Sequence, residues 1–260
     1  ELGPLLDDVD WVFHQGASPS VPRSFSMVVE STDVNIMGTV RLFEEARQRD
    51  VDRIVFASSS SVYGDRDELP KHEDMETRPQ SPYAASKVTC EHYAEIFSER
   101  MDLDVIGLRY FNVFGPRQSA DSDYAAVVPN FITAFLSGEN PIIYGDGEQS
   151  RDFTFVEDVV RANIAALQEG QAGSIYNVGK NEKTTVNDLL YEIRRITGSQ
   201  LEPKYEEPRP GDVRHSRADA ERLREDTGFE VENSLEDGLR KTVDWFRENP
   251  DRWKEDAHGT

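Results

Sequence analysis

Tyr83 and Lys87 stand four residues apart in a stretch of helical character, so their side chains leave the helix on one face. A phenol beside an ammonium is a candidate general base. The cation favours the phenolate and lowers a pKa that is otherwise about 10. A Tyr-x-x-x-Lys pair alone arises readily on a solvated helix. Ser59 sharpens it: this residue lies 24 positions before Tyr83, in the run Ser58-Ser59-Ser60-Ser61, and its hydroxyl could bind the same substrate oxygen. The three together suit proton transfer at a substrate hydroxyl.

Such a set needs a scaffold that delivers it to one edge. Short apolar runs at residues 10–14, 53–57, 105–109 and 174–178 read as strands. Residues 35–49, 82–100, 124–137 and 156–168 carry apolar side chains at helical spacing between them. Strands alternating with helices predict an α/β fold, a mostly parallel sheet with helices on its faces. Ligands in such sheets bind beyond the carboxyl ends of the strands. Three polar, glycine-containing turns fall there: His14 to Ser18, Ser58 to Gly64, and Arg109 to Arg117. Gly16 would let a cofactor approach the backbone closely. After Gly179 the pattern turns mainly helical, at 185–197, 218–226 and 235–247, around a proline- and charge-rich stretch at 203–212. The expected division is 1–178 for the sheet domain, with substrate-side insertions near 116–150, and 179–260 for a smaller helical substrate region.

Composition narrows the function class. The chain has 260 residues, 50 acidic against 29 basic, and a net charge of -21. With 37% hydrophobic residues it can build a core, and its overall field repels phosphate polymers, which argues against a nucleic-acid partner. Cys90 is the single cysteine, so neither a disulfide framework nor a thiolate zinc cluster is expected, and no metal site is assigned. No apolar run reaches the roughly 18 residues of a membrane span, and no secretory leader is evident. A soluble, cytoplasmic protein is the expectation. Of the 29 basic residues 22 are arginines; with the acid excess, this composition looks like that of proteins from salt-accumulating, halophilic cells.

The motifs resemble those of the extended short-chain dehydrogenase/reductases, and within them the nucleotide-sugar epimerases and dehydratases. The strings that carry the resemblance are His14 to Ala17, Ser58 to Asp65, Ser81 to Lys87, Arg109 to Arg117, Tyr144 to Gly147, Arg151 to Phe153 and Arg209 to Arg214. The UDP-hexose 4-epimerase group, with its N-acetylhexosamine-using branches, is the nearest pattern. The resemblance implies a Rossmann-like fold, NAD as cofactor, a UDP-sugar substrate and a homodimer. It implies that Ser59, Tyr83 and Lys87 are catalytic, with Lys87 also on the nicotinamide ribose. Gly16, Ala17, Ser18, Asn35 and Tyr110 fall on the cofactor side. Asn112 and Arg151 fall on the diphosphate, Arg209 and Asp212 at the nucleoside end, and Ser216 near the sugar C2 substituent, where a serine leaves space for an N-acetyl group. The dimer would form through the helices at 34–49 and 82–100, with Phe43, Tyr93, Ile96 and Phe97 as candidate contacts.

The family opens with a strand–GxxGxxG–helix unit that the sequence lacks, so the first strands are expected to be missing and NAD binding by this chain alone to be weak. Two other activities compete: a 4,6-dehydratase, whose relatives carry Asp-Glu where this chain has Ser60 and Ser61, and a UDP-glucuronate decarboxylase. A non-catalytic, truncated homologue is the reading from a different class.

Overall fold

The computed structural model describes residues 2–120, 126–208 and 213–254. Its centre is a parallel sheet of four strands, β1 (Trp11–His14), β2 (Arg53–Ser59), β3 (Asp104–Tyr110) and, later in the chain, β8 (Ile175–Val178), in the order β1-β2-β3-β8. The register sets Phe13 beside Val55, Ser59 beside Tyr110 and Tyr110 beside Val178. The carboxyl ends of the strands therefore finish on one edge, as the alternating pattern predicts.

Alternation along the strands decides which helix packs where. Ile54, Phe56 and Val105 point to one face, where they meet Phe43 and Ala46 of α3 (Gly38–Arg47) and Cys90, Ala94 and Phe97 of α4 (Pro82–Arg100). Val55, Ile106 and Leu108 point to the other, against Val159, Ala162 and Ala166 of α6 (Val156–Glu169) and Leu223 of α8 (Glu221–Thr227). Helix α4 has the bounds read from the sequence. Ser81 caps it by accepting the Ala84 N–H at 3.1 Å, and Pro82 opens its first turn. The segment before α3 corrects the sequence reading: helix begins not at residue 35 but at α1 (Val21–Ser26) and α2 (Val28–Thr32). It reaches α3 through a π-helical turn at Asp33–Met37. The widened turn carries Asn35, which is buried.

The smaller region draws on chain from both sides of residue 178. Phe114 of β4 (Asn112–Phe114), Phe131 and Ile132 of α5 (Val127–Ser137), Ile143 of β5 (Ile142–Tyr144) and Phe153 of β7 (Phe153–Phe155) share one core with Leu189 of α7 (Val186–Thr197) and Val243 and Phe246 of α9 (Leu235–Glu248). The helix read at 124–137 begins at Val127 among the described residues, and its first expected residues lie outside them. Residues 213–219 run as an extended arm across this region. The arm is bridged in parallel to β6 (Ser150–Arg151) at His215 and to Lys71 at Ala218.

Candidate active site

The catalytic candidates meet where β2 ends against the start of α4. Ser59 closes β2 and caps the short helical turn Ser60–Tyr63: its Oγ accepts the Ser61 N–H at 3.2 Å and the Ser61 hydroxyl at 2.9 Å. Gly64 ends that turn at φ 64°, where a Cβ would strike the Arg78 carbonyl, so the turn requires glycine. Tyr83 sits in the first turn of α4 with its backbone N–H on the Ser24 hydroxyl at 3.2 Å, and its phenol lies near enough to Ser59 for that hydroxyl to act on its titration. Lys87, one turn on and buried, donates its Nζ to the Ala57 carbonyl at 2.7 Å and lies 5.7 Å from the centre of the Tyr83 ring. The predicted set is thus assembled on one edge.

Its electrostatics differ from the sequence expectation in one respect. The expected effect of Lys87 was to lower the Tyr83 pKa; burial instead holds the phenol above its usual value, and the Ser59 hydroxyl offsets part of this. Burial likewise lowers Lys87, while the charges of Cys90 and Glu91 act to raise it. The free phenol is therefore not a ready base in this structure.

The cofactor-side residues also converge. Asn35 clamps the turn after β1: it accepts the Ser18 N–H at 2.7 Å and donates to the Ser18 carbonyl at 3.2 Å and to the Ser86 hydroxyl, one residue before Lys87, at 3.1 Å. Gly16 and Ala17 ride on that clamped turn, and a Cβ at Gly16 would meet only the His14 ring, at 3.8 Å. His14 bonds Thr39 at 2.8 Å; burial first, then Lys87, lowers its pKa to about 4, so it is neutral. Tyr110 donates its hydroxyl towards Asn163 at 2.9 Å and Gln15 at 3.1 Å, and burial pushes its pKa up to about 12. An open glycine backbone, a fixed asparagine and an ammonium beside a phenol fit the nicotinamide–ribose half of NAD.

Asn112 and Arg151 line one cavity of about 210 Å³ with Phe153, Gln149 and Val127. The Asn112 N–H is fixed on the Asp152 carbonyl at 3.0 Å, and Arg151 bonds the Ser150 carbonyl at 2.9 Å. A more open groove beside it shares Tyr144 and Gln149 and is walled by Pro208, Val213 and Arg214. Ser216 lies on the arm, its N–H on the Ser150 carbonyl at 3.0 Å. Its neighbours are engaged elsewhere: Arg214 forks onto Asp146 at 2.8 Å, and His215 bonds the Ser150 hydroxyl at 2.8 Å. Arg209 and Asp212 lie outside the described residues.

Sequence reasoning missed two buried groups. Glu91 pairs with Arg109 at 2.8 Å beneath the catalytic turn; its signal was present, four residues past Lys87 on the same helical face. Asp152, fully buried, accepts N–H bonds from Lys180 at 2.8 Å, Asn181 at 2.9 Å and Ala218 at 3.0 Å. Its partners are backbone groups from distant segments, which no side-chain pattern announces. Two of the expected dimer contacts are also corrected. Phe43 and Phe97 face the sheet and are buried, whereas Tyr93 and Ile96 are exposed. No helix among the described residues is long and apolar enough to cross a membrane.

Residues 2–179 match the model of the NAD dependent epimerase/dehydratase family. The chain is 41% identical over 237 residues to a UDP-glucose 4-epimerase of Mycolicibacterium smegmatis, covering 91% of this chain and 75% of that protein. Among solved structures it resembles the UDP-N-acetylglucosamine 4-epimerase from Methanobrevibacter ruminantium M1 in complex with UDP-N-acetylmuramic acid. The TM-score is 0.93 at 42% identity, over 96% of this chain and 80% of that one. It also resembles the Thermus thermophilus UDP-glucose 4-epimerase complex with NAD, with a TM-score of 0.84 at 35% identity, over 92% of this chain and 78% of that one.

Proposed function

Since the chain belongs to the NAD dependent epimerase/dehydratase family, we propose that it is an NAD-dependent UDP-sugar 4-epimerase, acting on UDP-glucose and UDP-galactose and, through the small side chain of Ser216, on their N-acetyl forms. One observation carries the reading: Tyr83, Ser59 and Lys87 share one edge, and the Asn112–Arg151 cavity that suits a diphosphate belongs to the same fold. Bound NAD would supply the hydride acceptor and donor for the sugar C4. The protein supplies proton handling and orientation. Tyr83 takes the C4 hydroxyl proton and returns it, so the proton count closes over one turnover. Ser59 holds that oxygen against Tyr83. Lys87, charged, favours the phenolate and the ribose hydroxyls. Asn112 and Arg151 grip the diphosphate, with Arg209 and Asp212 at the nucleoside, leaving the hexose free to present either face.

The competing eliminations need more acid–base groups than the turn offers. A 4,6-dehydratase must remove water across C5 and C6, yet the residues after Ser59 are Ser60 and Ser61, and the Ser61 hydroxyl is spent on Ser59. In this reading 1–178 forms the cofactor side and 179–260, with 116–150, the substrate side. A cytoplasmic location is part of it. So is a homodimer across the face where Val29, Met37, Tyr93 and Ile96 are exposed on adjacent helices. The direct test supplies the full-length protein, loaded with NAD, with UDP-galactose and follows UDP-glucose without added reductant. Appearance of the epimer with no net NADH supports the proposal; a 4-keto-6-deoxy product or no product defeats it. A strictly monomeric mass by light scattering at micromolar concentration would defeat the dimer.

A further inference from the structure

The geometry points to Glu91 as a positioning residue for the Tyr83–Lys87 pair: it locks the register of α4 against β2 and supplies the counter-charge behind Lys87. The inference rests on the catalytic reading of those two residues.

Tyr83, Lys87 and Glu91 follow one another at intervals of four along the inward face of α4. Opposite them, three consecutive residues at the end of β2 are each taken by one of the three. Ser59 lies near Tyr83, the Ala57 carbonyl accepts Lys87 at 2.7 Å, and the Ser58 hydroxyl donates to Glu91 at 2.5 Å. A slip of the helix by one residue would break the Lys87 and Glu91 contacts together. Behind the ladder, Arg109 on β3 forks onto both Glu91 oxygens, at 2.9 and 2.8 Å, and reaches the Tyr63 hydroxyl at 2.9 Å. Tyr63 in turn donates to Asn177 on β8 at 2.6 Å. The catalytic turn, the helix and three strands are thus joined through one carboxylate.

Stability alone is a weak reason for such a pair. A buried ion pair is often replaced by apolar side chains without loss, because desolvation cancels most of the attraction. An apolar residue at 91, however, could neither orient the Ser58 hydroxyl nor act electrostatically on Lys87. Burial drives Lys87 towards its neutral form, and Glu91 opposes this. The other groups near the ammonium are His14 on β1, which is neutral, and Cys90 and Tyr83 on α4, both held above their usual values by burial and so protonated. Arg109 on β3 stands behind Glu91 and is neutralised by it. Among these groups Glu91 is the anion.

Glu91→Gln in the full-length, NAD-loaded protein tests both halves. The Lys87 amine is titrated directly, by trace acetylation with acetic anhydride across a pH series and mass spectrometry of the Lys87 peptide, a readout that needs no turnover. The expected result is a Lys87 pKa lower by about one unit, a kcat roughly tenfold lower with its alkaline limb moved down equally, and unchanged KM and NAD content. Superimposable Lys87 titrations would overturn the charge role. Ser58→Ala keeps the ion pair and removes only the strand contact. It should lower kcat by roughly threefold with the Lys87 titration unmoved, and an unaltered kcat would overturn the register role. The Ser58→Ala arm stands even if Glu91→Gln does not fold. A wild-type protein inert towards UDP-sugars would defeat the proposed function, and the Lys87 titration would still decide this inference.

Discussion

The edge that carries Ser59, Tyr83 and Lys87 and the arm at 213–219 are held by different means. At the edge, each working side chain is gripped by another side chain or by the adjacent strand, and the grip comes from one helix packed on one strand. The arm at 213–219 is held mainly by its backbone, with side-chain contacts at Arg214 and His215. It exchanges main-chain bonds with Ser150 and Lys71, and the Ala218 N–H ends on Asp152. The approach there is tight: a Cβ on Gly179 would collide with Ala218 and crowd the Asp152 carboxylate at 3.1 Å. Proton chemistry tolerates little misplacement, whereas a grip on a substrate tail can be set by a segment that shifts. The edge should therefore fail in turnover and the arm in affinity or selectivity.

The largest effect is expected at the edge. Tyr83→Phe removes the hydroxyl and leaves the ring's packing and the Ser24 cap in place. Turnover of the full-length protein should fall by at least roughly 100-fold, with the circular dichroism spectrum and bound NAD unchanged. Near-normal steady-state turnover would mean that the edge is not where the proton moves.

At the arm the effect should discriminate between substrates. Ser216→Tyr adds bulk beside Ser150, where the arm crosses β6. The N-acetylated sugar should lose roughly tenfold more in kcat/KM than the plain hexose, because overlap with its C2 substituent acts on one substrate only. Equal losses for the two sugars, measured side by side, would show that Ser216 does not face the sugar.

The same contrast explains what was legible in the sequence. Ser59, Tyr83 and Lys87 could be read because their side-chain types and spacing encode the chemistry, and the helical period placed two of them on one face. β2, β3 and β8 were legible because buried parallel strands are short, continuous apolar runs, and β1 has the same apolar character although Trp11 and Phe13 are exposed at the sheet edge. The segment at 21–37 was read too late as helix, because its amphipathic pattern is interrupted by Pro22 and by the π turn at Asp33–Met37. Phe43 and Phe97 show the limit of composition. A helix between sheet and solvent has apolar residues on more than one side, and only packing shows that these two stack edge to face at 5.5 Å inside. Asp152 was invisible as a hub because its partners are N–H groups that every residue but proline carries.

Asp152→Asn separates the arm from the edge at smaller cost. Burial raises the Asp152 carboxyl to about 6, against the pull of the three N–H bonds. A folded-state pKa above the unfolded value means that the fold binds the proton more tightly. The contribution is favourable below about pH 4 and is lost as pH rises through about 6, by about 3 kcal/mol at most. The asparagine should abolish that slope in urea titrations between pH 4 and 7. At neutral pH its loss of one N–H acceptor, about 1–3 kcal/mol, is offset by removal of the buried charge, so the melting temperature should change little. KM for the UDP-sugar should rise about fivefold as the Ala218 anchor loosens, with kcat held, since Tyr83 and Lys87 lie on the other assembly. A fall in kcat at constant KM would place Asp152 with the edge instead.

The smallest effect is expected from salt, and it should touch both regions alike. Acidic residues outnumber basic ones by 50 to 29, so even full pairing leaves 21 carboxylates in excess. Two opposite changes follow when KCl rises to about 1 M and the Debye length falls to about 3 Å. Exposed ion pairs such as Arg23–Glu30 and Arg240–Glu236 weaken, but each exposed pair contributes only about 0–1 kcal/mol. Repulsion among the unpaired carboxylates also falls, and it is summed over the whole surface. The buried Glu91–Arg109 pair is shielded from the salt and should not change. Relief therefore outweighs loss: the urea midpoint should rise between low salt and molar KCl, and kcat should follow it without a change in the ratio of the two sugars' kcat/KM. A flat or falling midpoint across that range would show that the charge excess is not a halophilic adaptation. A salt-dependent change in that ratio would show that the arm, and not the whole surface, responds.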